Sequence, residues 1–416
     1  MNEHQKQFQL LAPAGDFPSL AAALQNGADA VYFGVGKLNM RSSATGNFSQ
    51  RDLPELVRRS HNAGAEAWLT INTVIYDREL VEVRRLCLAA KQSGVDAVIA
   101  SDLAVLQIAA ELHLPVHVSV QANISNCLAM KFYARYAEVV VLARELTLSQ
   151  IRRICRYIQT EDIRGPGGRP LKVEIFVHGA LCMAVAGHCY LSLAQANASA
   201  NRGACVQNCR RTYTLQDSET GQEVLLDHQY LLSPKDLCTL TILPRILRSG
   251  VSVLKIEGRG RSADYVAAVT ACYRQALDEY LATGALPLAK LSAWQDNLAQ
   301  VFNRGFWQGG YYLGESIDAW AKAGDSQARR RKKFLGVISN YYCRSAVAEV
   351  VLQAGGLAAG DTVLITGPTT GAVECEVQEL RVQDQPAAQA DQGQRVTFPC
   401  AWKLRRNDKI YRLDCR

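Results

Sequence analysis

The sequence contains no apolar run of about 18 residues, so it predicts no membrane-spanning helix. It begins MNEHQKQFQLLAPAG, which lacks the charged and then apolar layout of a secretory leader. We therefore expect a cytoplasmic protein with no membrane partner. In that compartment most of the 13 cysteines should be reduced thiols, either packed in the core or bound to metal.

Common catalytic and nucleotide-binding motifs are also missing. The sequence has no H-E-x-x-H motif of zinc peptidases and no G-x-S-x-G turn of serine hydrolases. The first apolar run leads into APAGDFPS, which is not the glycine-rich phosphate loop of a dinucleotide-binding fold. These absences disfavour the familiar peptidase classes, and they make an open doubly wound sheet the second choice of fold.

Eight short apolar runs alternate with amphipathic helical segments between residues 10 and 258. Each run is rich in Val, Ile and Leu without clean alternation, as is typical of strands buried on both faces. The pattern predicts an α/β protein with a (β/α)8 TIM-like barrel. The runs are LLAPAG (10–15), AVYFG (30–34), AWLTIN (67–72), AVIAS (97–101), VHVSVQA (116–122), VVVLARE (139–145), VEIFVHG (173–179) and VLKIEG (253–258).

The connection between the seventh and eighth runs is far longer than a barrel needs. Roughly 70 residues separate Gly179 from Val253, and they contain five of the 13 cysteines. An insertion here, at about 180–232, would lie on the barrel face where active sites form. We therefore expect a barrel domain over 1–320, a basic linker over 321–333 and a small β-barrel domain over 334–416, where short β-rich runs alternate with Gly, Asp and Asn turns.

Four cysteines in the insertion form the strongest local signal. HGALCMAVAGHC contains Cys182 and Cys189, and NRGACVQNCRR contains Cys205 and Cys209. Thiolates on glycine-containing loops are suited to a metal ion or an iron–sulfur cluster. The C-x6-C spacing is wider than that of most zinc pairs, which favours a cluster, while a disulfide and free thiols remain alternatives. Cys238 is a spare ligand candidate, although a buried helix cysteine is the favoured interpretation.

Polar residues follow the ends of most predicted barrel strands. Strand ends that converge at a barrel mouth would form a polar pocket for a small anionic substrate. Arg144 and Arg259 could grip a carboxylate or phosphate, and His178 is a candidate acid, base or partner of the cysteine loop. Taken singly, each has a structural explanation, such as a helix cap, an Arg144–Glu145 ion pair or a histidine packed in the barrel wall. The candidates are Asn72, Asp102, Gln121, Asn123, Arg144, Glu145, His178, Lys255, Glu257 and Arg259.

The formal net charge of +7 permits an anionic partner such as RNA, and it describes a basic solvated surface equally well. The five basic residues at 329–333 are interpreted as a solvated linker, with contact to phosphates as the alternative. Five aromatic residues nearby either pack a domain interface, which is favoured, or stack on bases. They are Phe302, Phe306, Trp307, Tyr311 and Tyr312.

Several long blocks resemble the hallmark blocks of peptidase family U32. They are HVSVQANISN (117–126), VEIFVHGALCMAVAGHCYLS (173–192), NRGACVQNCRRTY (201–213), SPKDL (233–237) and SVLKIEGR (252–259). The resemblance covers residues 9 to about 320, and the β-rich tail resembles the C-terminal domain of that family. By architecture, the chain is most similar to the tRNA-hydroxylating members.

The resemblance implies an enzyme that hydroxylates C5 of the wobble uridine of tRNA without oxygen gas, with prephenate as the small dicarboxylate oxygen donor. It also implies a 4Fe-4S cluster on Cys182, Cys189, Cys205 and Cys209, and therefore iron–sulfur assembly proteins as partners. Some relatives take one ligand from further along the chain, for which Cys238 is the candidate. Hydroxylation of a ribosomal RNA cytidine, a ubiquinone-hydroxylation subunit and a collagenase-like peptidase remain alternatives, and the oligomeric state is open.

Overall fold

A computed structural model describes residues 7–43, 47–224, 230, 232–314, 320–321 and 326–416. Parts of the predicted insertion (225–229 and 231) and of the predicted linker (322–325) lie outside these described residues. The described chain forms a barrel surrounded by helices, followed by an antiparallel sheet. None of the helices in these ranges is both long and apolar enough to cross a bilayer.

Within the described residues, the first unit contains eight strands that close into a barrel, two that extend its sheet and two, β8 and β9, that form a separate antiparallel pair. They are β1 (Gln9–Pro13), β2 (Ala30–Gly34), β3 (Glu66–Ile71), β4 (Ala97–Ala100), β5 (Val116–Val118), β6 (Val139–Val141), β7 (Lys172–Gly179), β8 (Leu215–Gln216), β9 (Glu223–Val224), β10 (Asp236–Cys238), β11 (Val253–Ile256) and β12 (Phe306–Gln308). Strands β1 to β7 pair in parallel in chain order, and β11 pairs in parallel with both β7 and β1. This closed ring of eight parallel strands confirms the predicted barrel.

Helices follow the barrel strands as the periodicity predicts. They are α1 (Phe17–Gln25), α2 (Leu53–Asn62), α3 (Leu80–Gln92), α4 (Leu103–Glu111), α5 (Cys127–Tyr133), α6 (Leu148–Thr160), α7 (Leu191–Ala196), α8 (Leu243–Leu247), α9 (Ala263–Thr283) and α10 (Leu288–Gln300). Several begin at side-chain caps. The Asp102 carboxylate accepts a hydrogen bond from the amide of Ala104 (3.0 Å) and so caps α4. This explains the polar residue after β4 without a role in the pocket.

The barrel interior is a packed core below the mouth. Alternate residues of neighbouring strands fill it, among them Leu11, Tyr32, Trp68, Ile99 and Val253, all buried. Such layering is characteristic of TIM barrels. Helices cover the outside of the ring and bury a second, larger apolar cluster against it. Packed apolar side chains therefore close the barrel below its polar mouth.

Strands β10 and β12 extend the sheet beyond the barrel. Strand β10 runs antiparallel to the end of β7, with Cys238 opposite His178, and β12 runs parallel to β10. Cys238 is fully buried, as predicted, but it lies in a strand and not in a helix. Its carbonyl oxygen accepts from the amide of Gly309 (2.8 Å), so it belongs to this extension of the sheet.

The C-terminal unit is an antiparallel sheet around its own apolar core. Its strands are β13 (Arg330–Tyr342), β14 (Val347–Leu352), β15 (Leu357–Ala358), β16 (Thr362–Gly367), β17 (Gly371–Glu376), β18 (Leu380–Val382), β19 (Gln385–Ala387), β20 (Gln389–Ala390), β21 (Arg395–Pro399) and β22 (Lys409–Cys415). Eight of them pair in the order β17-β16-β22-β13-β14-β21-β18-β19. Buried residues such as Ile338, Val350, Ile365 and Phe398 form the core.

The basic run at 329–333 differs from the prediction of a linker. Its residues from Arg330 onwards lie in β13 and pair with β22. The charges are compensated, because Arg330 lies 2.8 Å from Glu374, Lys332 2.7 Å from Asp264 and Lys333 2.6 Å from Asp414. A charge run therefore gave the wrong boundary here: the acidic partners come from distant segments that the local pattern does not show.

The two units share an interface. Strand β17 packs against α1 and α9. The side-chain amide of Gln25 donates to the carbonyl of Thr369 (3.0 Å), and Arg59 donates to the carbonyl of Pro368 (2.6 Å). The Lys332–Asp264 pair joins β13 to the first turn of α9. The C-terminal sheet is thus held against the barrel by defined polar contacts.

Candidate active site at the barrel mouth

A cavity of about 340 Å³ opens at the C-terminal ends of the barrel strands. Most of the polar residues predicted for the mouth line it, and residues of the cysteine insertion (181–187) form one side. The structure thus brings together predicted side chains at the ends of four strands, β3, β5, β6 and β11. The predicted residues in this wall are Asn72, Gln121, Arg144, Glu145, Lys255, Glu257 and Arg259.

Arg144, which follows β6, has unused hydrogen-bonding capacity. Its Nη1 donates to the carbonyl of Ala180 (3.1 Å), and its guanidinium lies 4.5 Å from the ring centre of Phe176. Its Nε and Nη2 are buried and have no hydrogen-bond partner among the residues described. No ion pair with Glu145 forms within the same ranges. Because buried donors without partners are costly, this guanidinium is suited to receive an oxyanion.

The other two basic candidates already have partners. Arg259 Nη1 donates to Asn39 Oδ1 (3.0 Å) and Thr70 Oγ1 (2.9 Å), and burial lowers its pKa to about 10. Lys255 Nζ lies 2.6 Å from Glu174 Oε1, and both side chains are almost completely buried. Arg259 is still a cation at neutral pH, whereas Lys255, although it lines the cavity, is already paired with Glu174.

Glu257 is held in its ionised form. Burial alone would raise its pKa, but the positive charges of Arg41 and Arg261 outweigh burial and hold the pKa at about 2. Arg41 Nη2 lies 2.9 Å from Glu257 Oε1. The carboxylate can therefore accept hydrogen bonds or balance charge at neutral pH, but it has no proton to donate.

Amide side chains form another part of the cavity wall. Asn72 Nδ2 donates to Gln121 Oε1 (3.3 Å), and Asn72 Oδ1 accepts from the amide of Met40 (3.2 Å). Ser119 also hydrogen-bonds to Gln121. Orientated amides of this kind offer both donors and acceptors to a planar polar ligand.

Three predicted site residues do not line the cavity, namely Asp102, which caps α4, His178 and Asn123. His178 is buried behind the barrel wall against Tyr265, Tyr273 and Phe306, and burial lowers its pKa to about 3. A β-bulge between β7 and β11 adds one residue before His178 and turns its side chain away from the mouth. The predicted acid–base role is therefore not supported. Asn123 is exposed and takes a left-handed conformation (φ 51°) after a 3-10 turn.

The aromatic residues near the linker are mainly packing residues, in agreement with the interpretation favoured over base stacking. Trp307 and Tyr312 are buried, and the Tyr312 hydroxyl donates to the carbonyl of Phe176 (2.6 Å). Phe306 packs against His178. Tyr311 is the exception, since it lines the cavity at the barrel mouth.

The four predicted cysteine ligands line a second cavity of about 270 Å³. Met40, Arg41 and Cys182 belong to the walls of both cavities, so the two spaces adjoin. Burial raises the pKa of Cys209, and the neighbouring thiols of Cys182, Cys205 and Cys189 raise it further. Within the described ranges, no three His, Cys, Asp or Glu side chains surround a single metal-ion position. What the chain offers is four soft donors around a roomy space, a set able to hold a metal or a cluster.

Contacts with the barrel fix the cysteine loops. The amide of Ser43 donates to the carbonyl of Gly203 (3.2 Å), and a Cβ at Gly203 would lie 2.4 Å from the carbonyl oxygen of Asn39. Gly203 also has φ 83°, so only glycine suits this approach. Arg210, next to Cys209, donates to the carbonyls of Pro234 (2.8 Å) and Leu181, the neighbour of Cys182. These contacts join the loop between β2 and α2 to the segment that contains Cys205 and Cys209, and join that segment to the one that contains Cys182.

Fold and site define a TIM-barrel protein whose mouth combines a polar cavity with a cysteine-lined one. The profile of peptidase family U32 matches residues 15–322 of the chain. The chain therefore belongs to peptidase family U32, as the sequence blocks indicated.

Relatives in this family have different names. The chain is 45% identical over 409 residues to a protein named collagenase from Porphyromonas gingivalis, covering 98% of both chains. It is 40% identical to the 23S rRNA 5-hydroxycytidine C2501 synthase of Escherichia coli, covering 65% of this chain and 39% of that protein. It is 30% identical to the tRNA hydroxylation protein P1 of Bacillus subtilis, covering 81% of this chain and 78% of that protein.

Proposed function

We propose that this protein is an RNA-modifying enzyme that hydroxylates a pyrimidine base at C5 without using molecular oxygen. The proposed substrate is the wobble uridine of tRNA, which would become 5-hydroxyuridine. Relatives named for tRNA hydroxylation and for 5-hydroxycytidine synthesis in ribosomal RNA support the reaction class. An anticodon base suits such a site because it is already unpaired and costs little to present.

The observation that carries the proposal is the junction of the two cavities. Cys182 and Arg41 line both the polar barrel mouth and the space between the four cysteines. A ligand in the mouth would therefore contact whatever the cysteines hold. The donor set of four thiols fits a 4Fe-4S cluster held by Cys182, Cys189, Cys205 and Cys209. Such a cluster would supply electron-transfer or Lewis-acid chemistry next to the mouth, and its loading would depend on iron–sulfur assembly proteins.

The residues of the mouth would bind and orient two reactants. Asn72 and Gln121 offer donors and acceptors that match the edge of a pyrimidine. Arg144 offers two buried N–H-bearing nitrogens to a carboxylate of the oxygen donor, for which we propose the dicarboxylate prephenate. Glu257, ionised at neutral pH, would keep Arg41 in position at the junction.

The net reaction balances without a further oxidant. The C5–H bond of the base becomes C5–OH, while a C–OH bond of the donor becomes C–H. The base thus loses two electrons and the donor gains them, and oxygen and hydrogen exchange places.

Nucleoside mass spectrometry of tRNA tests the proposal. We expect 5-hydroxyuridine to disappear from a strain that lacks the gene and to return with the wild-type gene. Neither Cys205→Ala nor Arg144→Gln should restore it fully, whereas Arg153→Gln on the exposed face of α6 should. Iron analysis after anaerobic purification distinguishes the two variants, because only Cys205→Ala should lose iron. Unchanged 5-hydroxyuridine in the deletion strain would refute the tRNA assignment.

A peptidase is the second candidate, favoured by the name of the relative at 45% identity. Among the described residues that line the barrel cavity there is no histidine to activate a nucleophile. Incubating the anaerobically purified protein with denatured collagen tests this candidate. Cleavage that Arg144→Gln abolishes and that a metal chelator leaves unchanged would favour the peptidase over the RNA hydroxylase.

A further inference from the structure

We propose that five arginines beside the cysteine cavity bind a phosphate of the RNA backbone next to the nucleotide being modified. This inference rests on the proposed function and adds to it the place where the polynucleotide is held. The arginine cluster consists of Arg41, Arg144, Arg210, Arg261 and Arg304, which together line a cavity of about 140 Å³.

The arginine cluster lies at the junction of the other two cavities. Its cavity shares Arg41, Arg144 and Cys182 with the barrel mouth, and it shares Cys205 and Cys209 with the cysteine cavity. A base inserted into the mouth would leave its ribose and phosphate at the rim. The position of the cluster therefore fits the backbone that must accompany such a base.

Two of the five guanidinium groups keep N–H groups that neither the protein nor the carboxylate of prephenate would use. Arg304 has a buried Nε without a partner, whereas the buried Nε and Nη2 of Arg144 are assigned to that carboxylate. The Arg261 side chain makes no hydrogen bond or ion pair to the described residues, and its guanidinium lies 3.6 Å from the ring centre of Phe302. Arg304 lies over the same ring at 5.0 Å. Contact with the Phe302 ring restricts the motion of both planar groups, which line the cavity.

The charge balance points to a strongly anionic ligand. Five guanidinium groups line the cavity, but Glu257 is the only carboxylate in its described wall. Asp236 offsets one more charge, since its Oδ1 lies 3.5 Å from Arg304 Nη1. An excess of positive charge remains at a partly buried place, where it is costly unless an anion binds. Arginine forks match the oxygens of phosphate, and successive phosphates of one strand can neutralise several of them.

Two of the arginines have an additional explanation. Arg41 and Arg210 lie close to thiols and would also offset negative charge on the cysteines. Arg261 is the sharper probe, because its side chain makes no hydrogen bond or ion pair to the described residues and acts on Glu257 only through its charge.

Salt-dependent binding of RNA tests the proposal. The probe is tRNA purified from the strain that lacks the gene, and the dissociation constant is measured against salt concentration for the full anaerobic protein. We expect Arg261→Gln to weaken binding several-fold and to reduce the slope of log K against log [salt] by about 0.7, the value for one phosphate contact on an unpaired strand. Arg261→Lys should retain most of the slope, and the matched control Arg153→Gln should retain all of it.

The outcomes separate this inference from its rivals. A normal slope in Arg261→Gln would overturn the phosphate site. If that variant also loses iron, the arginines serve the cysteine-lined cavity. If it shows a raised KM for the carboxylate donor, they bind that donor. If no hydroxylated nucleoside forms with any RNA but the slope still falls, the phosphate site stands and the proposed reaction fails. If hydroxylation is normal and the slope does not change, only the phosphate site fails.

Discussion

Among single residues, Lys255 and Glu174 form the most deeply buried ion pair at the barrel site. Lys255 Nζ lies 2.6 Å from Glu174 Oε1 and 4.6 Å from the ring centre of Tyr32. We expect Lys255→Met to lower the free energy of unfolding by about 3–5 kcal/mol, because it leaves the Glu174 carboxylate without its charge partner in the barrel. Urea unfolding of the metal-free protein, followed by circular dichroism, measures the effect.

The matched control is the double variant Lys255→Met with Glu174→Gln. Removing both charges should recover most of the lost stability, since no uncompensated ion remains buried. Burial already raises the pKa of Glu174, which agrees with the cost of keeping this carboxylate charged. If the double variant is as unstable as the single one, packing of the lysine chain and not its charge holds this part of the barrel.

Residue patterns predicted most of the polar residues that line the barrel cavity, but only Arg144 of the arginine cluster. Polar residues directly after strands could be assigned to the mouth because all strands of a barrel end on one face. Arg41, Arg261 and Arg304 come from loops whose path depends on distant contacts, so no local pattern marked them. His178 failed for another reason. Alternation along β7 predicts that it faces inward, but the bulge next to it reverses the direction.

At the scale of elements, one ion pair holds the cysteine loop, here residues 199–206 around Cys205, against the barrel. Arg202 donates from Nη1 and Nη2 to the two carboxylate oxygens of Glu79 (2.8 and 2.5 Å) and also to the carbonyl of Val74 (2.9 Å). Cys205 lies only three residues after Arg202. Hydrogen bonds from Arg202, partly opposed by burial, lower the pKa of Glu79 to about 2. The position of this cysteine arm therefore depends on an ionised Glu79.

We expect Glu79→Gln to loosen the cysteine loop. The folded-state pKa of Glu79 lies below its ordinary value of about 4.3. Its stabilisation is therefore fully present above about pH 5 and is lost as the pH falls toward 2. Losing the pair should cost about 1–2 kcal/mol of local opening free energy, a roughly 5- to 30-fold faster hydrogen exchange. Exchange mass spectrometry over residues 199–206 of the metal-free protein, corrected for intrinsic rates, measures it.

Glu82→Gln on the exposed face of α3 is the matched control and should leave exchange in the loop unchanged. In the wild type, protection of residues 199–206 should fall as the pH is lowered from about 5 toward 3. In Glu79→Gln that dependence should be much weaker. Equal protection in the variant and the wild type at pH 7 would mean that other contacts, such as the one at Gly203, hold the loop alone.

Elements of the barrel were largely predictable, whereas boundaries between units were not. Apolar runs marked all eight barrel strands because each is buried on both faces, and burial leaves a clear trace in composition. The start of β13 was missed because its first residues are basic, and its partner β22 lies about 80 residues further along the chain. Long-range pairing of this kind has no local signature.

On the scale of the whole molecule, the C-terminal sheet and the barrel meet at Gly371. This glycine has φ 72°, and a Cβ on it would lie 2.4 Å from Gln25 Oε1 and 3.1 Å from the backbone nitrogen of Ala22 in α1. Gly360, in the turn before β16, also has a positive φ of 91°, but a Cβ there would meet nothing within 4 Å. The two positions therefore differ in their contact with the barrel and share a backbone conformation unfavourable to alanine.

We expect Gly371→Ala to weaken the attachment of the sheet to the barrel, while Gly360→Ala changes only the stability of the sheet. Each substitution should cost about 1–2 kcal/mol through its left-handed conformation, but only Gly371→Ala must also push α1 away. Calorimetry should then resolve two unfolding transitions for Gly371→Ala, and limited proteolysis should release the C-terminal sheet faster than in Gly360→Ala. If both variants shift the transition equally without splitting it, the polar contacts of Gln25, Arg59 and Lys332 hold the units together without this close approach.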